Sequence, residues 1–211
     1  MVAILALTGA LTAARPAAVS RPRVPGSVFD FPTSVSPDGT HVWVANSVGE
    51  SVTELDAATG ALMQVIKGSR FGFDFPSTVS SDGTHVWVTN YYGNTVTELD
   101  AATGALVRVI RGSRYRFNGP IAVDSDGTHV WVANAAGNSV TELDAATGAL
   151  VQVLRGSLYG SAAVSSDGIH VWVANYFGDS VTELEAATGA PGAGDHRPPV
   201  IHSEGLKTRA L

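Results

Sequence analysis

Four histidines, His41, His85, His129 and His170, each follow an aspartate by three residues and precede a glutamate by thirteen. The aspartates are Asp38, Asp82, Asp126 and Asp167; the glutamates are Glu54, Glu98, Glu142 and Glu183. Imidazoles and carboxylates are the groups that ligate metals and carry general acid–base chemistry. A ring of four equal histidines could therefore hold a cation. Yet catalytic couples are built from groups whose environments push their pKa values apart, and here every member recurs with the same neighbours. No single odd acid or unique histidine stands out. The reading is four satisfied histidines at strand starts and four glutamates on solvated strand positions, with no catalytic residue, no metal and no cofactor assigned.

A second set of residues is not repeated faithfully. Residues 38–68 and 82–112 agree at 23 of 31 positions, so the few differences mark tolerant or specialised places. They include Ser47/Tyr91, Val48/Tyr92 and Glu50/Asn94. One group of loop residues supplies Tyr91, Tyr92, Tyr176 and Phe177. Another supplies Arg70, Phe71, Phe73, Asp74, Arg114, Tyr115, Arg116, Phe117, Asn118 and Tyr159. Aromatics interleaved with arginine are enriched at recognition surfaces. The same aromatics could instead anchor long connections by packing. The fourteen together form the candidate binding face.

Several chemistries are excluded. The chain has no cysteine, which removes disulfides, thiolate catalysis and cysteine-zinc sites. A formal charge of −6 and a pI near 5.4 argue against nucleic acid, whose binding rests on phosphate neutralisation. No glycine-rich phosphate loop joins a strand to a helix. The Asp-x-x-x-Gly turns lack the alternating oxygen ligands of a calcium loop. With 45% hydrophobic and 15% charged residues and a mean hydropathy of +0.15, the chain can bury a core.

The elements that position these residues follow from an internal repeat. The string Asp-Gly-X-His-Val-Trp-Val begins at residues 38, 82, 126 and 167, at spacings of 44, 44 and 41. Such a period indicates a repeat array. Each unit divides into four short runs rich in Val and Thr, broken by Asp-Gly, by a glycine-containing loop and by Ala-Ala-Thr-Gly. The Asp-Gly pair is a type I′ hairpin signal, and Asp-Ala-Ala-Thr-Gly suits a type I turn closed by glycine. Four tightly connected strands per repeat define a propeller blade. Both faces of the second strand are apolar, as in a strand packed between neighbours. Trp43, Trp87, Trp131 and Trp172 then serve inter-blade packing.

The strings VWVANSVGESVTELDAATG and VWVTNYYGNTVTELDAATG resemble the YVTN-type propeller repeat, in which an aromatic-valine strand ends in Asn before a Val-x-x-Leu-Asp strand and a Thr-Gly turn. The resemblance covers residues 31 to 190. It implies an all-β propeller of four-stranded antiparallel blades, related to NHL and streptogramin-lyase-like propellers, which serve as binding scaffolds and occasionally as enzymes. The expected blades are 31–68, 75–112, 119–156 and 160–190, within a repeat region of 26–190. There are about four blades, the last incomplete, forming either a whole small propeller or a piece of a larger one.

The two ends read differently. Residues 1–25 hold an apolar run, Met1 to Ala14, of signal-peptide length but without a preceding basic residue. It is too short for a membrane span. Residues 191–211 replace the expected fourth strand. The codons CTG GTG CAG GTG ATC for Leu-Val-Gln-Val-Ile, displaced by one inserted C, read Pro-Gly-Ala-Gly-Asp, as at 191–195. The tail is thus expected to be a frameshifted continuation, or else a native proline-rich segment. The expected function is a non-catalytic, secreted or cell-surface scaffold for a protein or glycan; without the leader it would be cytoplasmic. The alternatives are a propeller lyase or lactone hydrolase, and a truncated fragment without function. An open propeller would self-associate through its apolar end faces.

Overall fold

The computed structural model describes residues 28–192. The leader, and all but the first two residues of the tail, lie outside the described residues. The fold is all-β, in four antiparallel sheets. Blade 1 comprises β1 (Pro32–Pro37), β2 (His41–Asn46), β3 (Ser51–Asp56) and β4 (Leu62–Lys67). Blade 2 comprises β5 (Pro76–Ser81), β6 (His85–Asn90), β7 (Thr95–Asp100) and β8 (Leu106–Ile110). Blade 3 comprises β9 (Pro120–Ser125), β10 (His129–Asn134), β11 (Ser139–Asp144) and β12 (Leu150–Arg155). Blade 4 has three strands, β13 (Ser161–Ser166), β14 (His170–Asn175) and β15 (Ser180–Glu185). Strand order follows the chain in every blade. Beside β15 the chain makes one further bridge, Leu184 to Pro191, where the other blades begin a fourth strand.

The turns explain the register. In Asp-Gly-X-His, positive φ falls on the glycine alone, at 93° for Gly39 and 85° for Gly83. This corrects the expected type I′ turn, which needs positive φ at both central residues. The aspartate instead stands at the first corner, where Asp38 Oδ1 accepts the N–H groups of Thr40 (3.0 Å) and His41 (2.7 Å). The Ala-Ala-Thr-Gly turn closes as expected. Gly104, at φ 67°, donates its N–H to the Asp100 carbonyl at 2.8 Å.

The core lies between blades rather than within them. Trp43, Val52 and Ile66 of blade 1 pack on Val79, Val86 and Leu99 of blade 2. Trp87, Val96 and Ile110 repeat this against Val123, Val130 and Leu143 of blade 3. Trp131, Val140 and Leu154 repeat it against Val164, Val171 and Leu184 of blade 4. Packing runs β1 on β5, β5 on β9 and β9 on β13, with no comparable packing of β13 on β1 among the described residues. The four blades form an open arc.

A polar chain pins each connection to this frame. The buried Asn46, Asn90, Asn134 and Asn175 donate to Thr53, Thr97, Thr141 and Thr182 at 2.9–3.0 Å. These threonines donate in turn to the carbonyls of Val28, Phe71, Tyr115 and Ser157. Buried polar groups must be paired, so the repeated asparagine fixes where the preceding connection crosses the blade.

Candidate binding face

Each His–Asp–Glu set is assembled within a single blade. Each histidine places Nδ1 3.3–3.6 Å from its own aspartate and Nε2 3.6–3.9 Å from its own glutamate. The four sets belong to four blades, and no group of three candidate ligands converges among the described residues. Burial opposes the charge of Asp38. The His41 N–H, the Trp43 indole, the Thr40 N–H and the Ser81 hydroxyl nevertheless hold its carboxyl down, at about 2. Similar donors hold Asp82 and Asp126 below the usual range against the same burial.

The glutamates are not solvated, which corrects the sequence reading. Glu54, Glu98 and Glu142 are at most 2% exposed. The reason is the neighbouring blade. Gln64 bridges from Glu54 (2.6 Å) to the Thr103 carbonyl in the next blade's turn (3.0 Å). Gln152 does the same between Glu142 and Thr188. Arg108 pairs with Glu98 at 2.8 Å and reaches the Ala146 carbonyl. Burial pushes the carboxyls of Glu98 and Glu142 upward, partly offset by Arg108 and Gln152 respectively.

The loops after the second strand and the connections after the fourth share one end of the arc, because β4 ends at Lys67, paired with Ser51 at the start of β3. Backbone bonds tie the two loop sets together: Tyr91 N–H to Phe75, Ala135 to Gly119 and Tyr176 to Gly160, at 2.9–3.0 Å. The candidate residues divide here. Phe71, Phe73 and Tyr115 are buried, and their aromatic faces are committed to packing. Phe71 stacks on Phe73 with centroids 5.5 Å apart, and Tyr115 stacks on the half-buried Phe117 at 5.5 Å. Arg70 and Arg114 lie over Phe71 and Tyr115 at 4.6 and 4.7 Å. These stacks anchor the connections against the outer strand of the next blade.

The exposed members form two aromatic groups. Tyr92 (64% exposed) sits with half-buried Tyr91. Tyr159, Tyr176 and Phe177 make a second exposed cluster in blade 4, with centroids 5.1–5.8 Å apart. Between them blade 3 offers only Gly119, Ala135 and Ala136. Gly119 leaves room for the Tyr91 ring, which would stand 3.1 Å from a Cβ there. Arg70, Asp74, Arg114, Arg116 and Asn118 are exposed.

Sequence reasoning missed Phe31, Phe75, Arg111 and Arg155. Phe31 and Phe75 hold φ of 57° and 55°, where blades 3 and 4 carry Gly119 and Gly160. Bulky residues rarely adopt that conformation, and it costs on the order of 1–3 kcal/mol. Phe75 completes the first aromatic group, 4.9 Å from Tyr92. The alignment of Phe-Pro, Phe-Pro and Gly-Pro across blades was the signal. Arg111 and Arg155 repeat the place of Lys67 at the end of the fourth strand.

The cations are gathered at one end, among four carboxylates, Asp30, Glu50, Asp74 and Asp179. Of the seven Lys and Arg in the described residues, all but the paired Arg108 lie at this loop end. The opposite end carries two turn carboxylates per blade and no Lys or Arg among the described residues. A cleft of about 690 Å³ opens at the loop end between blades 2 and 3. It is lined by Arg111, Arg116 and Arg155 with Asn94, Asn118 and Phe117, and by no carboxylate. None of these three arginines is in an ion pair among the described residues.

No protein-family model matches the chain, and no curated protein matches it. Similar solved structures include hydrazine synthase of Kuenenia stuttgartiensis, with a TM-score of 0.64 and 23% identity over 78% of this chain and 48% of that one. Streptogramin B lyase matches with a TM-score of 0.64 at 13% identity, covering 76% of this chain and 53% of that one. The computationally designed Ika4 protein matches with 0.62 at 16%, covering 74% and 91%. At these identities the fold is what is shared. The chain spans about half the length of the hydrazine synthase and lyase chains. No helix among the described residues is long and apolar enough to cross a membrane.

Proposed function

We propose that the protein is a non-catalytic β-propeller of the YVTN type, exported by its leader, whose loop end binds a protein or glycan bearing anionic groups. The observation that carries this reading is the carboxylate-free cleft with its three arginines, flanked by exposed rings. Arginine forks match carboxylates and sulfate or phosphate esters bidentately. Exposed tyrosine and phenylalanine add flat apolar area at low conformational cost. Phe31 and Phe75 strengthen the reading, since strained residues persist where a surrounding fold over-determines them and cluster at ligand clamps. The acidic opposite end would turn the basic end toward an anionic partner during encounter. The enzyme alternative rests on likeness of fold alone, and no residue here supports it over the scaffold.

The test is binding of uronate-containing and neutral oligosaccharides, and of acidic and neutral peptides, to immobilised protein. Acidic ligands should bind, weaken as salt rises, and lose at least tenfold in affinity with Arg111→Ala plus Arg155→Ala. Equal binding of neutral ligands, or retention of affinity in that double variant, would remove the proposal.

A further inference from the structure

The two ends of the arc are halves of the same joint. In every internal junction one blade presents a tryptophan face and the next a valine–leucine face. Blade 4 presents the first to solvent. Trp172 is 40% and Val181 52% exposed, whereas Trp131 and Val140 at the same places are fully buried. Blade 1 presents the second. Val35 is 62% exposed, with Val42 and Leu55 half-exposed, whereas their counterparts Val79, Val86 and Leu99 in blade 2 are buried. Glu183 shows the same loss, only half-buried where Glu142 is covered by the next blade's turn.

From this self-complementarity we propose that two copies of the chain assemble head to tail, blade 4 of each docking on blade 1 of the other, into a closed ring of eight blades. The occupant is argued from continuity. The chain itself builds this joint three times from the same residues at the same positions. A heterologous contact closes into a ring when its rotation permits, and eight blades lie within the known range for propellers. Two features of the internal joints are not reproduced. Blade 4 has no fourth strand among the described residues, so these supply no counterpart of Ile66, Ile110 and Leu154, nor of the bridges from Gln64, Arg108 and Gln152 to the next blade's turn. A hydroxyl bond is lost as well. Asp38, Asp82 and Asp126 each accept a hydroxyl from the next blade, from Ser81, Ser125 and Ser166. Blade 1 has Pro37 at that place, so Asp167 gains no such partner and the intermolecular joint is more apolar than the internal ones.

The experiment is light scattering on the full chain across a hundredfold concentration range. The expected mass is twice 21.8 kDa, without growth at higher concentration. Trp172→Asp and Val35→Asp should each give monomers, and mixing the two should restore a dimer, because one keeps the valine face and the other the tryptophan face. A sharp thermal transition in each variant shows that it folds; if Trp172→Asp does not fold, Val181→Glu replaces it. A wild-type monomer throughout would overturn the proposal. So would a ladder of growing species, or dimers that survive both substitutions. These outcomes are independent of ligand binding at the loop end.

Discussion

Trp131 and Trp172 occupy the same place in the same string, His-Val-Trp-Val-Ala-Asn, and they differ completely in environment. The first is fully buried against blade 4 and the second is 40% exposed. Val140 and Val181 differ in the same way, and so do Glu142 and Glu183. Local sequence is held constant in these pairs, so the difference isolates what a neighbouring blade contributes. In a repeat array each unit buries its face only on the next, and stability resides in the joints.

The largest effect should come from cutting inside a joint. Trp131→Ala removes a fully buried indole and should cost about 3–5 kcal/mol, while Trp172→Ala, measured at concentrations where the chain is monomeric, should cost under about 1 kcal/mol. Urea unfolding of both variants compares them directly, and equal costs would erase the distinction between joint and end. A melt that is broad and non-cooperative in the wild type, with strong hydrophobic dye binding, would instead favour the fragment reading.

pH sharpens the comparison next. Glu98 and Glu142 have raised carboxyl pKa values because burial disfavours their charge. Their protonated forms are favoured by folding, so this contribution is present below the ordinary glutamate value and is lost as pH rises through the raised value. Asp38, lowered to about 2, works in the opposite sense: its contribution is present above 3.8 and is lost as pH falls through 2. Glu142→Gln should therefore flatten the loss of stability on the rising side. Asp38→Asn should flatten the acid limb instead. Thermal melts from pH 2 to 8 separate them.

The smallest expected effect contrasts strain with burial. Phe31 is 65% exposed at a positive φ that a glycine takes in blades 3 and 4. Phe31→Gly should raise stability by about 1 kcal/mol, the scale of relieved left-handed strain. If denaturation shows a loss, Phe31 makes packing contributions that outweigh its conformation.

The strands, the glycine-closed turns and the inter-blade role of the tryptophans were legible because they depend on alternation and turn chemistry along a few residues. The glutamates were misread for a physical reason: Glu98 alternates as an outward residue should, and it is covered by the Ala146 turn some fifty residues later. The loop aromatics were only half legible. Phe71 and Tyr92 look alike in sequence, yet the ring of one is buried in a stack with Phe73 and the other is exposed in a loop. The basic cleft was hidden because Arg111, just past β8, and Arg155, at the end of β12, belong to different blades.

The sequence by itself determined the blade, its count of repeats, its hairpins and the residues able to form a joint, since these follow from local conformational preference and from a period repeated along the chain. Tertiary structure alone decided which joints are filled. It also gathered the cations at one end of the arc and left two complementary apolar faces open. Burial and charge clustering are properties of residues brought together across forty or more positions, and no local pattern encodes whether a neighbour arrives.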